Sequence, residues 1–583
     1  MSLLDKASLI VTPNAYKEGK LYSVVPSSGS GDMSFSRSTT ATRVNSAGLV
    51  ESVPRNLLTY SNDLNNGVWA VSNVTKTNGQ VSPTSANNEG WLINKTSTGV
   101  DGLVYNGFLI SSLNKHTYSW YILKDTNESR FPEFFLRLNT GEAEQYIQLN
   151  TKTGALGVRV ATSGCTRSIT LSPDGLWWRL TLTNPAPTST TGDNRHGMRP
   201  AAGTTLGVYN INATGSVIVY GAQTEEGTTA TNYFQTTTRL NIPRIDYTNG
   251  SCPSLLVEPQ RTNLLLYSND YTNANWTKSN CTIGVNSVVS PDGTQNASKI
   301  IENSTNDVHR IYQGYGGTNN ILSFYAKAGE RSWVCVLGLS GYTFFNLSNG
   351  TIGTIDSGTV PTITSVGNGW YRCTLFNYHP VYALIGIANG NNAPSYQGDG
   401  TSGLYIWGTQ VEQASYPTSY IPTLASTVTR NTDIPLSIAT PLLLNDFSIF
   451  MDFKLFQKNQ SFGYMIFGSV DSSFISRIYI DSSDNMTFTI GVTNNSIGTS
   501  GLNINTDYKV CFKRSGSTLK YFRNGILINT FTVQTNQFKM STFFNAVDTT
   551  GVTSKYLTLG NLKTGIAFNT ALTDTECIAL TTL

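Results

Sequence analysis

Residues 56–69 read NLLTYSNDLNNGVW, and residues 263–276 read NLLLYSNDYTNANW. The spacing holds from Asn56 and Asn263 through to Trp69 and Trp276, so neither stretch carries an insertion. Further matches follow in the same order. HTYSWYILKD (116–125) resembles NILSFYAKAG (320–329), each alternating apolar positions by two as a half-buried strand does. PDGLWWRLTL (173–182) resembles GNGWYRCTL (367–375), which aligns Trp177 with Trp370 and Arg179 with Arg372. VYGAQTEEGTTATNYFQT (219–236) resembles IWGTQVEQASYPTSYIPT (406–423). Matching blocks in one order identify an internal duplication of a strand-built domain.

Composition agrees with that reading. A chain of 583 residues exceeds what one core serves. Charged residues are 13% of it, against roughly 25% in an average globular protein, and Ser, Thr, Asn and Gly take their place. Such a balance suits many short strands joined by polar turns, whereas exposed helix faces call for Lys and Glu. With 39% hydrophobic and 11% aromatic residues the chain has enough apolar surface for several cores. Net charge is +3 and no block of five Lys or Arg occurs, so nucleic-acid binding has no electrostatic footprint. No apolar run of about 18 residues is present for membrane insertion. Asp5 and Lys6 interrupt the opening residues where a signal peptide needs an apolar stretch. The seven cysteines, at 165, 252, 281, 335, 373, 511 and 577, suggest no disulfide pair and read as reduced thiols.

Similar tags flank the copies: TTATR ends at Arg43, TTTR at Arg239 and STVTR at Arg430. The connector SLLV (254–257) needs burial, so it is expected to dock on a sandwich rather than hang free. Beyond about residue 435 the pattern changes. DFSIFMDFKLF (446–456) alternates by two, YKVCFKRSGSTLKYFRNGILINTF (508–531) reads as successive hairpins, and the end of the chain reads as a strand and a short helix capped by Thr573 or Asp574.

The strings SFSRSTTATRVNSAGLVESVPRNLLTYSND (34–63), SLLVEPQRTNLLLYSND (254–270) and GTQVEQASYPTSYIPT (408–423) resemble segments of tailed-bacteriophage and prophage virion proteins, namely fibres and receptor-binding proteins. That resemblance implies a jelly-roll sandwich, similar to carbohydrate-binding modules, for the repeated unit. YFRNGILINTF (521–531) and IAFNTALTDTE (566–576) resemble the laminin-G/concanavalin-like lectin sandwich. The expected architecture is all-β, with three tandem β-sandwiches. An attachment segment (1–56) is followed by a jelly roll (57–238), a docked connector (239–262), a second jelly roll (263–430) and a laminin-G/concanavalin-like domain (435–583).

Chemistry is sparse. His116, His196, His309 and His379 are far apart in sequence and no hydrolase or nucleotide-binding motif occurs, so each reads as a surface or turn residue. Glu225, Glu226, Glu258 and Glu412 are the acids with which a glycosidase could be built. Glu225 and Glu412, however, occupy matching positions, which points to a role in the fold, bonding amides at a turn. Trp69/Trp276 and Trp177/Trp370 recur for the same reason and are expected in the cores. Copy-specific aromatics in polar loops, Tyr315 and Tyr396, are the candidates for stacking on sugar. The lectin-like resemblance brings in Ca²⁺, for which Asp471, Asp481 and Asp484 are the candidate ligands. The expected function is a non-enzymatic virion fibre or adhesin, exposed on the virion surface and made in the host cytoplasm. Its partners would be other virion proteins and a host-surface glycan or receptor. The resemblance implies a homo-oligomer, commonly a trimer. A purely structural decoration subunit and a surface-polysaccharide depolymerase are the alternatives.

Overall fold

The structure is a computed structural model. It describes every residue except 1–2, 18–19, 38, 54–55, 84–87, 111–114, 128–129, 140–143, 160–162, 237–241, 249, 318–319, 459–463, 471–474, 482, 491–492 and 545–558. The described residues are strands and turns with a single α-helix, Asp574–Thr581. The chain forms two compact units, one of residues 16–19 and 54–242, the other of residues 1–15, 20–53 and 243–583.

The first unit is a sandwich of two six-stranded sheets. One runs in the order Thr166–Leu171, Trp177–Thr183, His116–Leu123, Gly215–Glu226, Gly90–Lys95, Thr75–Gln80. The other runs Leu156–Gly157, Gln145–Leu149, Phe131–Arg137, Asn194–Gly203, Leu103–Phe108, Trp69–Ser72. In the second unit, residues 264–412 repeat this plan strand for strand. One sheet runs Val360–Gly367, Trp370–Phe376, Ile321–Ala328, Gly403–Glu412, Ala297–Glu302, Cys281–Val288. Its partner runs Thr351–Ile352, Tyr342–Asn346, Trp333–Leu337, Tyr382–Ala388, Asn306–Gly314, Thr277–Ser279. Period-two patterning fills both cores: Tyr118, Trp120 and Ile122 point inward in one, Leu322, Phe324 and Ala326 in the other.

The repeated NLL stretch is a hook that fastens the start of each sandwich to its last long strand. Asn56 is fully buried; its amide donates to Ala222 O (3.1 Å) and accepts from Leu58 N (3.2 Å) and Thr224 N (3.1 Å). Asn263, equally buried, donates to Ile421 O (2.9 Å) and accepts from Leu265 N and Val411 N, both at 3.1 Å. Asn62 and Asn269 accept from Gly221 N and Gly408 N. Those glycines lie at φ 66° and 60°, with a tyrosine ring atom only 3.0 and 3.1 Å from where a Cβ would stand. Ser61 and Ser268 bond the hydroxyls of Tyr233 and Tyr420. Trp69 and Trp276, both buried as expected, donate through Nε1 to Tyr60 O and Tyr267 O.

The third sandwich shares the second unit. Its large sheet includes Leu559–Phe568, Phe447–Gln457, Asp507–Ser515, Thr518–Arg523 and Ile526–Thr532 in that order. A smaller sheet of Thr493–Thr499, Asn485–Ile490, Ile475–Ile480, Tyr464–Val470 and Thr542–Phe543 packs against it, with Phe467 on Phe512 and Phe544 on Phe453. The helix is capped by Thr573 in a capping box with Glu576 and presses Cys577 into a cluster with Cys511, Phe450 and Phe522.

The N-terminal residues, expected as a separate attachment segment, are instead part of this sandwich. Strands Leu9–Lys17, Lys20–Val25 and Met33–Ser36 extend the large sheet, followed by Ile434–Ile438. The reason is apolar surface: Leu9, Val11, Leu21, Met33 and Phe35 are all at most 1% exposed. Strand Leu559–Phe568 has one edge closed by two distant segments, residues 9–11 opposite 565–567 and the connector residues 255–257 opposite 560–562. An otherwise open edge is thereby paired. The connector docks because Leu255, Leu256 and Val257 are buried.

Replacing Asn56 or Asn263 with Ala strands two buried N–H groups and a carbonyl. At about 1–3 kcal/mol for each unsatisfied group, the transition of the affected unit should lose on the order of 3 kcal/mol. Denaturant melts of the two variants should show comparable losses, each in its own unit.

Candidate functional site

Neither tyrosine expected to stack on sugar presents a free ring. Tyr396 is 8% exposed; strand Ser395–Gln397 folds back on Asn306–Gly314, and the hydroxyl donates to Glu302. Arg331 lies 5.1 Å over the Tyr396 ring and pairs with Glu302 at 2.6 Å. Tyr315 packs against the core of the second jelly roll and donates to His379 O. Polar neighbours in sequence suggested exposed loops, but Tyr396 belongs to the core of the sandwich and the half-buried Tyr315 packs against it. Three of the four histidines are likewise interior rather than at the surface: His116, His196 and His309 are fully buried. His196 sits among Trp69, Tyr118 and Trp120, and burial holds it well below the usual imidazole range, so it stays neutral.

The two described Ca²⁺ candidates are engaged by other groups. Asp481 accepts from the backbone N–H of Ser483 and Asn485, closing its own turn. Asp484 meets the Lys458 ammonium at 2.9 Å, where a divalent cation would need open carboxylate oxygen. Asp471 lies outside the described residues. Among the described residues no group of three or more His, Cys, Asp or Glu is placed to hold a metal, and those present do not fit Ca²⁺.

Three of the four acids named for a glycosidase, Glu225, Glu412 and Glu258, are bonded into the fold. Glu225 accepts from Thr231 N (3.0 Å), the Thr231 hydroxyl and Gln223; Arg179 in turn reaches Thr231 O and Ser119. Copy two repeats the set with Glu412, Thr418 N (2.8 Å), Arg372 and Ser323. Burial raises both carboxyls above the ordinary glutamate range. These are the turn bonds expected of a duplicated acid.

Glu258 belongs to a buried ionic cluster. It meets Arg430 at 2.5 Å and Arg244 at 2.7 Å and accepts from Ser419 N and Oγ at 2.8 Å. Asp433 binds Arg37 at 2.8 Å, Arg244, and Glu258 N at 3.0 Å. These five side chains, all at most 5% exposed, join the N-terminal segment, the connector, the second jelly roll and the start of the third sandwich. Burial alone would raise the Glu258 carboxyl, but Arg430 and Arg244 bring it down to about 2. Burial lowers Arg37 to about 10 despite Asp433. Of the tag arginines, Arg430 lies in this cluster, Arg43 pairs with Glu51 at 2.8 Å, and Arg239 is outside the described residues.

Where these parts meet, a cleft of about 540 Å³ opens. One wall is the edge strand Val360–Gly367, which offers Val360, Thr362, Thr364 and Val366 on one face. Tyr325 and Arg372 form the floor, with the guanidinium 5.5 Å over the ring. Strand Thr42–Val44 borders it, and Lys454, Phe456, Asn505 and Asn561 of the third sandwich face it. Tyr416 lies at its side, 6.4 Å from Phe456 and beneath Arg261. Two of the lining residues each carry a side-chain atom that is closed off from solvent and without a partner among the described residues, Tyr416 Oη and Asn561 Oδ1. Arg372 Nε is also unpartnered, but so is its duplicate Arg179 Nε, which makes that a property of the fold.

Sequence reasoning did not single out this cleft. Tyr416 lies inside a repeated block, yet Thr229 stands at its position in the first copy, so the test of copy-specific aromatics would have found it. Asn561 carries no such signal.

No family model and no curated protein matches the chain. Similar solved structures include a heptameric SAP-like pentraxin from Limulus polyphemus, at 18% identity over 23% of this chain and 69% of that one, TM-score 0.20. A protein from Bacteroides ovatus named for carbohydrate binding matches at 10% identity over 47% and 79%, TM-score 0.19. The LG1-3 region of the laminin alpha2 chain matches at 8% over 80% and 96%, TM-score 0.17. At such TM-scores none of them assigns this chain a ligand.

Asp433→Asn leaves Arg37 and Arg244 without their shared counter-charge, and the unit should lose about 3–5 kcal/mol. The Glu258 carboxyl, lower folded than unfolded, contributes stability that is complete above about pH 4.5 and fades as pH falls toward 2. Melts between pH 6 and 2 should therefore show a flatter acid slope for Glu258→Gln than for the native chain.

Proposed function

We propose that this chain is a non-enzymatic binding subunit of a tailed-phage virion, a fibre or adhesin that engages glycan on the host surface. The single observation that carries the binding part is the cleft. It is concave and walled by hydroxyl-bearing and aromatic side chains. The locked state of Glu225, Glu258 and Glu412 supports binding over hydrolysis, since each carboxylate already has its hydrogen-bond partners. The virion part rests on the residues that resemble fibre proteins. Anchoring to the particle then falls to a face of the folded third sandwich, because strands Leu9–Lys17 to Met33–Ser36 are not a free arm. Weak single contacts multiplied by copy number would give useful avidity on a polysaccharide surface.

The test uses the full chain against host capsule and lipopolysaccharide on an array, with reducing ends assayed in the same samples. Saturable binding without new reducing ends is expected. Release of reducing ends would make the protein a depolymerase, and absence of binding to any host glycan would leave a decoration subunit.

A further inference from the structure

The helix Asp574–Thr581 lies lengthwise on strand Asp507–Ser515. At its start the Asp574 carboxylate takes Lys513 Nζ at 2.7 Å, and just past its end Thr582 O takes Lys509 Nζ at 2.9 Å. The backbone rises about 12 Å from 574 to 582 as helix and about 13 Å from 513 to 509 as strand, so the two run in step. Leu572 N on Ser448 Oγ at 3.0 Å and Gly525 N on Thr581 Oγ1 at 3.2 Å fix the same placement from either end. Lys509, Cys511 and Lys513 share one face of the strand, opposite the face that turns Phe512 onto Phe467 in the core. Cys511 stands midway between the two lysines. Midway between their partners the helix turns Cys577 inward, fully buried, and leaves Ile578 at the surface. The two thiols meet there through a hydrogen bond, among Phe450, Phe522, Ile566 and Phe568.

Sulfurs in contact sit on converging side chains, which is what an S–S bond needs if the backbone is to stay in place. The two are not equivalent. The shared bond and burial hold the Cys511 thiol well above the usual range, so Cys511 carries the proton. The same bond, aided by Lys513, holds the Cys577 thiol low, which makes its sulfur the nucleophile of the pair. Spacing along the sequence hid this pair, because its members come from a strand and a helix that meet only in the fold.

We infer that Cys511 and Cys577 are a cross-linking site, a dithiol that closes to a disulfide and clamps the helix to the large sheet wherever a low-molecular-weight disulfide is in excess. The Cys577 thiolate attacks one sulfur of the small disulfide and releases the first small thiol. Cys511 then loses its proton and attacks the Cys577 sulfur of the mixed disulfide, releasing the second. The protein gives up two electrons and two protons, and the small disulfide takes them up as two thiols. An eight-residue helix is marginal by itself, so brief lifting from the sheet admits the reagent to Cys577. None of this depends on the binding reading above.

The experiment equilibrates the folded full chain in glutathione buffers of increasing oxidised fraction, blocks the remaining thiols by alkylation and maps the peptides. The native chain should yield peptides joined through Cys511 and Cys577. The loop so closed holds about 65 residues, so the oxidised chain should melt roughly 5–15 °C higher and return to the reduced midpoint on adding dithiothreitol. Cys577→Ala should lose the joined peptides and the shift, while Cys252→Ser, at an exposed cysteine, should keep both. If Cys577→Ala does not fold, the peptide map of the native chain decides. Free Cys511 and Cys577 in a buffer that has already placed glutathione on Cys252 would overturn the inference. So would glutathione left on Cys577 without closure, or joined peptides that form only in denaturant. A cross-link that leaves the melting midpoint unchanged would overturn the clamp.

Discussion

A buried primary amide governs each jelly roll. The Asn56 and Asn263 side chains donate and accept at once, and so can bond an N–H and a C=O of segments that are not regular strand partners. The start of each sandwich meets its last long strand through a lone main-chain bond, Leu57 N to Thr224 O and Leu264 N to Val411 O, and the neighbouring main-chain groups need other partners. Asparagine at 0% exposure supplies what a ladder would have supplied. Asn62/Asn269, Ser61/Ser268 and the glycines at positive φ then complete a tie in which each residue type is dictated by a bond. This explains why the sequence is repeated so literally at NLL and YSND, while the intervening strands keep little beyond their apolar period. Cores accept any residue of suitable volume, but a hydrogen-bonded corner accepts very few.

The ionic cluster performs a comparable task at larger scale. Three arginines and two carboxylates are removed from water, an arrangement whose desolvation cost is offset only because nearly every oxygen is doubly engaged. Apolar residues of similar volume could hold the same parts together, but they would tolerate sliding. Arginine forks bind one geometry. The surplus positive charge also explains why Arg37 and Arg430 are pushed down by burial while Arg244, touching both acids, is pushed up. The parts fixed by this cluster are those that wall the cleft, so its contribution is specificity of placement.

The duplication, the all-β class and the interior place of the recurring tryptophans were legible because they follow from period and recurrence. Glu225 and Glu412 were legible for the same reason: an acid kept in register with Gly-x-Gln is bonded to the turn that follows. Recurrence says nothing about residues that occur once. Leu9 and Val11 carry the alternation of a strand, yet nothing local indicates that their partner is Leu559–Phe568, more than five hundred residues away. Tyr315 and Tyr396 misled because polar neighbours describe the loop, not the direction of a ring. Tyr396 turned inward to Glu302, whose carboxylate needed a donor that no sequence window reveals.

The cleft shows what duplication does not copy. The corner and the turn bonds recur because each is closed within one sandwich, Asn56 and Glu225 in the first copy, Asn263 and Glu412 in the second. The cleft is walled by the second copy together with strand Thr42–Val44, the connector and residues 454, 456, 505 and 561 of the third sandwich, none of which belongs to the repeat. Tyr416, where the first copy has Thr229, marks the same divergence inside a repeated block. A concavity built from once-only segments is free to change without disturbing the bonds that each copy needs to fold.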